Sequence, residues 1–103
     1  MEFNRKNPTQ LCEEYIHQVW CMENMKDGGI LAVYGLEQHR LELHDMLCDE
    51  LGIDHEKSKE ILSYLDEKID IDFSKMPSES DLRYYAEKLL KLLESEKAAG
   101  HLN

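Results

Sequence analysis

Three polar residues lie inside the apolar face predicted for the second helix. They are Glu37, Arg40 and His44, spaced at i, i+3 and i+7, so they project along one line of that helix. A buried charge without a partner is costly, so each of them needs one. The pattern permits an internal network, with Glu37 paired to Arg40 and His44 bonded across the bundle, or a small polar pocket that receives a partner. We favour the network, since buried polar groups are usually paired.

Two histidine–cysteine pairs have the i, i+4 spacing at which one helix face offers two ligands to a metal ion. They are His17 with Cys21 and His44 with Cys48. The first pair lies opposite the apolar stripe of its helix, whereas the second faces inward. In a helical hairpin turning near residues 28–29, the pairs would also differ in height by roughly 12 Å at about 1.5 Å per residue. We therefore expect no shared metal site and no cofactor.

A second set of residues fits a different chemistry, the metal-dependent hydrolysis of nucleotides or phosphate esters. The candidate ligands are Glu13, Glu14, Glu42, His44 and Asp45. The His-Asp dipeptide at 44–45 resembles the one that names the HD-domain phosphohydrolases. Residues 42–45 resemble a Glu-x-x-Asp element of the all-α nucleotide pyrophosphohydrolases, which implies magnesium held by carboxylates. This chain departs from that family at His17, where the partner element would need a third glutamate. Because the match is incomplete, we treat hydrolysis as the alternative function and not as the main one.

Apolar residues recur at helical spacing along most of the chain and predict an all-α fold. The positions that this spacing predicts to be buried include Leu11, Tyr15, Ile16, Ile61, Leu62, Leu65, Ile69, Leu89 and Leu93. Asn7 before a proline is a typical helix start, while Gly52 and Asp54 mark an end and a new start. Residues 69–73 alternate like a strand, but a lone strand has nothing to pair with, so we expect an extended connection. Residues 98–103 are expected to fray. The predicted helices span about 8–26, 30–51, 55–69 and 79–97, within one domain.

Four helices with short connections favour an antiparallel bundle. Several apolar arcs are wider than a single helix seam needs, because they include Trp20, Met22, Met25 and Leu43. Such breadth is typical either of a dimer interface or of a well-covered core helix. The sequence therefore leaves open whether the bundle is complete in one chain or is completed by a second copy, as a homodimer.

Charge and cysteine content restrict the classes of partner and compartment. The chain has 22 acidic and 12 basic residues, a net charge of −10, and no basic patch. Direct nucleic-acid binding needs clustered lysine and arginine and is disfavoured, whereas a protein partner with a basic or apolar surface is favoured.

Three cysteines, an odd number, argue against a disulfide framework. Because no apolar run has the length of a signal peptide or a membrane span, we expect a cytoplasmic location without membrane contact.

One short segment suggests where a partner would bind. Residues 77–85, PSESDLRYY, resemble the PSGSDLIYY segment of the acidic four-helix immunity proteins that inhibit nuclease colicins. The matched segment is short, and the predicted helix continues here where that family has a proline. The resemblance implies partner contacts at Asp81, Tyr84 and Tyr85. With Trp20 as a further aromatic anchor, these residues predict a non-enzymatic interaction module, inhibitor- or antitoxin-like in one version.

Overall fold

The computed structural model describes residues 7–24, 30–63, 65–69, 71 and 78–102. Within these ranges it has five helices: α1 (Pro8–Asn24), α2 (Ile30–Leu51), α3 (His55–Leu62), α4 (Leu65–Ile69) and α5 (Glu79–Ala98). The predicted all-α class is confirmed, and α2 has the predicted bounds. The end predicted for the first helix, Met25 and most of the extended connection fall outside the described residues. No described helix is long and apolar enough to cross a membrane.

Side-chain caps explain where α1 and α3 begin. The side chain of Asn7 accepts a hydrogen bond from the N–H of Gln10 at 2.8 Å, and Gln10 Oε1 accepts one from the Asn7 N–H at 3.2 Å. At the start of α3, Asp54 accepts from the N–H of Lys57 at 2.9 Å. These caps satisfy backbone donors that the first turn of a helix leaves without partners.

The start of α5 is a capping box and gives a first testable prediction. Ser78 Oγ accepts from the Asp81 N–H at 3.1 Å, and the Asp81 carboxylate accepts from the Ser78 N–H at 3.2 Å. Replacing Ser78 with alanine removes the first bond, so we expect the free energy of unfolding to fall by about 1 kcal/mol in urea titrations followed by circular dichroism. Ser80→Ala, the same change at an exposed position of that turn, is the control and should alter it by less than about 0.5 kcal/mol. Equal losses in the two variants would contradict the assigned role of the cap.

The end of α2 follows the predicted glycine cap. Gly52 has a φ of 66°, a left-handed conformation that residues with a Cβ rarely adopt. The N–H of Ile53 bonds back to the carbonyl of Cys48 at 3.0 Å, and the Ile53 side chain is buried. This Schellman-type turn lets the chain leave α2 sharply, and Asp54 then caps the next helix. The last turn of α2 and the first turn of α3 are therefore neighbours.

The third predicted helix, 55–69, is divided into α3 and α4 in the structure. α3 is followed by Ser63, whose N–H still bonds to the carbonyl of Lys59 at 2.9 Å. The predicted apolar positions are all buried: Ile61, Leu62, Leu65 and Ile69. Because their spacing runs unbroken through the junction, hydrophobic periodicity predicts one helix where there are two.

Within the predicted fraying segment, 98–103, the described residues 98–102 do not fray. Gly100 has a φ of 84° and lets the backbone turn after α5. Leu102 beyond it is 1% exposed, and its carbonyl accepts a hydrogen bond from the Asp54 N–H at 2.7 Å. Leu102, a single apolar residue outside any periodic segment, thus lies beside the start of α3. Such an isolated residue gives no pattern to detect.

α1 packs against both α2 and α5 and supplies the centre of the core. Arg40 of α2 contacts Tyr15 of α1, while the carbonyl of Leu36 contacts Gln18 at 3.0 Å. These contacts advance in opposite directions along the two helices, so α1 and α2 are antiparallel. The buried core residues of the three helices are Leu11, Cys12, Tyr15, Ile16, Leu43, Leu47, Cys48, Ala86, Leu89 and Leu93.

Candidate functional site

The predicted polar seam begins with an ion pair on α2. Arg40 Nε donates to Glu37 Oε2 at 3.1 Å, and a second guanidinium nitrogen contacts the other carboxylate oxygen. Arg40 Nη1 also donates to the hydroxyl oxygen of Tyr15 at 3.0 Å, and the Tyr15 side chain is fully buried. The hydrogen bonds from Arg40 lower the pKa of Glu37, and burial raises the pKa of Tyr15. All three side chains have partners, as in the favoured network interpretation.

His44, the third residue of the seam, belongs to a different network. Its side chain is 2% exposed, and His44 Nε2 lies 2.9 Å from the Oγ of Ser58, which is buried on α3. This contact joins α2 to α3. The seam is thus divided between two partners, Tyr15 on α1 and Ser58 on α3.

His44, Cys48, His55 and Ser58 form what we call the His–Cys cluster. Cys48 Sγ lies 3.6 Å from His44 Nε2 and 3.1 Å from Ser58 Oγ. The i, i+4 spacing places His44 and Cys48 on one face of α2. The turn at Gly52 then brings the first residues of α3 against that face, so two side chains from each helix meet at one point.

Ser58 contacts three polar groups of the cluster. Its hydroxyl lies 3.0 Å from the carbonyl oxygen of His55, to which it can donate. His44 Nε2 lies 2.9 Å and Cys48 Sγ 3.1 Å from the same hydroxyl oxygen. Burial lowers the pKa of His44 and raises the pKa of Cys48, which favours a neutral imidazole and a protonated thiol.

His55 carries the polar, exposed side of the cluster. Its Nδ1 lies 3.0 Å from Asp45 Oδ1, and its Nε2 lies 3.0 Å from Asp49 Oδ1. Hydrogen bonding to Asp49, with a further contribution from Asp45, raises the pKa of His55. The ring is 42% exposed and meets the ring of His44 edge-on, with centroids 5.9 Å apart. His55 therefore lies between the buried His44–Cys48 pair and solvent.

The cluster includes a set of side chains able to hold a metal ion. One ligand atom each from His44, Cys48 and His55 lie within 4.8 Å of one another, the only such group of three among the described residues. The other predicted pair, His17 and Cys21, is separate. It lies on α1, where Cys21 Sγ is 3.9 Å from His17 Nε2. The structure thus keeps the two predicted pairs apart and adds His55 to one of them.

The ligands of the alternative hydrolase are not gathered into one group. Glu13 pairs with Arg83 at 3.3 Å, and Glu42 lies 3.8 Å from His39 at an exposed position. Asp45 instead contacts His55, and Glu14 is half-buried on α1. Among the residues that the structure describes, these carboxylates form no set of three ligands within 4.8 Å of one another.

The predicted partner-binding residues have different environments. Tyr84 is 57% exposed, with Lys88 Nζ 5.1 Å from its ring centroid, whereas Tyr85 is half-buried with its ring 5.7 Å away. Asp81 is exposed while its carboxylate closes the capping box of α5. Trp20 is half-buried on α1, where it stacks on His17 with centroids 6.4 Å apart. The two tyrosines and Asp81 therefore share one helix, and Trp20 lies on another.

Sequence reasoning missed His55, Ser58 and Asp49. A signal was present: the glycine turn after α2 and the aspartate cap of α3 lie between Cys48 and His55. Because α3 starts so soon after α2 ends, its first turn must lie near the last turn of α2. The H-x3-C-x6-H spacing then allows His55 to approach His44 and Cys48. Tyr15 was predicted as a core residue but not as the partner of Arg40.

Comparison with models of protein families, with curated proteins and with solved structures finds no match for this chain. The functional argument therefore depends on the contacts, burial and charge of the residues described above.

Proposed function

We propose that the protein is a small, acidic, non-enzymatic interaction module that binds the basic surface of a protein partner through the first turns of α5. The observation that carries this proposal is the exposure of Tyr84, at 57% of its surface. Tyrosine presents a large, rigid and amphipathic surface with few torsions to freeze, so it is enriched where proteins bind one another. An inhibitor or antitoxin-like role is one version of this function.

The charges around Tyr84 favour a basic partner. Asp81 precedes it and Glu87 follows it by about one helical turn, and both are exposed. The neighbouring cations are already engaged, since Arg83 pairs with a glutamate of α1 at 3.3 Å and Lys88 lies over the Tyr84 ring. A net charge of −10 would attract a basic surface from a distance and accelerate the encounter.

The alternative, a metal-dependent hydrolase of nucleotides or phosphate esters, receives less support from the geometry. Such an enzyme needs several carboxylates converging on the same ion. Glu13 is paired with Arg83, and Asp45 is directed to His55. We therefore prefer binding over hydrolysis as the function of the acidic surface.

We further propose that the helices form an antiparallel bundle in the cytoplasm, with a second copy able to cover the half-buried Trp20 and Met22. The antiparallel contact of α1 with α2 and the three free cysteines support this view. Sedimentation of the purified chain tests the second copy: a monomer at micromolar concentration would argue against a dimer.

The binding proposal predicts a large effect of Tyr84→Ala. A photo-reactive phenylalanine at position 84 should first crosslink the partner in a lysate, so that the partner can be identified and purified. Calorimetric titration with that partner should then show a Kd about 30-fold weaker for Tyr84→Ala, corresponding to about 2 kcal/mol for an aromatic anchor. The affinity should also fall as salt rises, because charge contributes to the encounter.

Tyr34→Ala is the matched control, since Tyr34 is also an exposed tyrosine, at 62%, but lies on α2. It should bind the partner with the wild-type Kd, and a photo-reactive residue at position 34 should not capture the same protein. Equal affinity of the Tyr84→Ala variant and the wild type would rule out the proposed surface.

A further inference from the structure

We propose that His44, Cys48 and His55 form a binding site for a single Zn²⁺-type ion at the junction of α2 and α3. The proposal goes beyond the interaction function, since these residues lie on α2 and α3 whereas the tyrosines lie on α5. It starts from the approach of three different ligand side chains, with one donor atom from each within 4.8 Å of the others. Two of the three side chains are buried, so their positions are set by the packing of the fold.

The distances fit the tetrahedral coordination of zinc. In such sites nitrogen lies about 2.0–2.1 Å and sulfur about 2.3 Å from the ion, which places a nitrogen and a sulfur ligand about 3.6 Å apart. His44 Nε2 and Cys48 Sγ are 3.6 Å apart. This edge of the tetrahedron is therefore already formed. The face is completed if a ring nitrogen of the more exposed His55, which lies within 4.8 Å of both atoms, moves to coordination distance.

The carboxylates around His55 supply the remaining parts of a zinc site. Its two ring nitrogens lie 3.0 Å from Asp45 and from Asp49. When one nitrogen binds the ion, the other keeps its carboxylate, which is the arrangement that orients histidine ligands in many zinc proteins. The released carboxylate is then available as fourth ligand, and its charge together with that of the Cys48 thiolate balances a dication.

Metal binding would exchange protons for the ion. The thiol proton of Cys48 leaves to solvent as its sulfur becomes a thiolate ligand. His44 binds through Nε2 and carries its one ring proton on Nδ1, which lies 3.6 Å from Asp45 Oδ1. His55, whose two ring nitrogens both face carboxylates, releases to solvent the proton of the nitrogen that binds the ion. Within α3, Ser58 keeps its hydrogen bond to the carbonyl of His55.

The donor set selects the class of ion. One sulfur and two imidazole nitrogens suit Zn²⁺ and Co²⁺, whereas Mg²⁺ prefers oxygen ligands. The site is therefore distinct from the carboxylate set of the alternative hydrolase. Binding would fasten α3 to α2, adding stability to a junction that now depends on hydrogen bonds and packing.

The test is a titration of the untagged, metal-free protein with Co²⁺ followed by absorption spectroscopy. We expect one equivalent of Co²⁺ to produce the visible bands of tetrahedral cobalt together with a sulfur-to-cobalt charge-transfer band. One equivalent of Zn²⁺ should remove both, because zinc binds such sites more tightly than cobalt. Zn²⁺ should also raise Tm, since it binds the folded state. A wild-type protein that shows no charge-transfer band at millimolar Co²⁺ would overturn the proposal.

Variants assign the ligands. Cys48→Ser should lose the charge-transfer band, and His55→Ala should bind Zn²⁺ at least about 100-fold more weakly. The matched controls are Cys21→Ser and His39→Ala, which should keep the band and the affinity; His39 lies on α2 with its side chain 55% exposed. If Cys48→Ser loses its helical circular dichroism signal, His55→Ala decides the question, because that side chain is 42% exposed and its removal should leave the fold intact. Wild-type affinity in His55→Ala, or a charge-transfer band retained by folded Cys48→Ser, would overturn the assignment.

Discussion

Truncation of Leu89 to alanine is expected to lower the free energy of unfolding by about 3–4 kcal/mol. Leu89 lies in the middle of α5 with none of its side chain exposed, in the core that α5 shares with α1. Removing three buried carbons loses their transfer free energy and leaves a cavity that the surrounding core residues can fill only in part. Urea unfolding followed by the helical circular dichroism signal measures the loss.

The control for this prediction is Leu92→Ala, the same change on the same helix at a half-buried position. Because Leu92 keeps part of its surface in water, its truncation should cost only about 1 kcal/mol. Equal losses of unfolding free energy in the two variants would mean that the apolar face predicted for α5 is not the face packed against α1. A loss below about 1 kcal/mol for Leu89→Ala would contradict its central position in the core.

The apolar spacing predicted the helices well because burial depends on which side of a helix a residue occupies. Helical spacing places Leu11, Tyr15 and Ile16 on the apolar face of the first helix, and all three are buried. The same holds for Leu89 and Leu93 on α5. Sequence alone could not predict the division of the third helix. The helical spacing of its apolar residues continues from α3 into α4 and gives no sign of a break.

In the candidate site, sequence could predict the contacts within one helix but not the contacts between helices. The pair Glu37–Arg40 is local, because residues three apart on a helix are neighbours whatever the tertiary fold. The bond from Arg40 to Tyr15 spans 25 positions and exists only through the register of α1 against α2. The approach of His55 to the His44–Cys48 pair likewise depends on the turn between α2 and α3, whose direction hydrophobic periodicity does not report.

Stability at alkaline pH is expected to depend strongly on Cys12. Burial, with smaller contributions from Glu94 and Glu13, raises the pKa of this thiol from 9.0 to about 12. The unfolded chain therefore releases the proton at lower pH than the folded protein does. The resulting stabilisation is fully present below pH 9 and is lost as the pH rises from 9 towards 12, at up to about 1.4 kcal/mol per pH unit.

Urea unfolding of wild type and Cys12→Ala at a series of pH values isolates this contribution. Between pH 7 and 10.5 the wild type should lose about 2 kcal/mol more than the variant, which has no thiol to ionise at that position. Cys12→Ala also removes a buried sulfur, which lowers stability at every pH, so the difference in slope is the measured quantity. Cys21→Ala is the control: burial raises the pKa of this half-buried thiol as well, but only the Cys12 shift is large, so the profile of Cys21→Ala should lie closer to the wild type than that of Cys12→Ala. Parallel stability profiles for the wild type and Cys12→Ala would contradict this prediction. They would show that the Cys12 thiol ionises as readily in the folded protein, where it is buried, as in the unfolded chain.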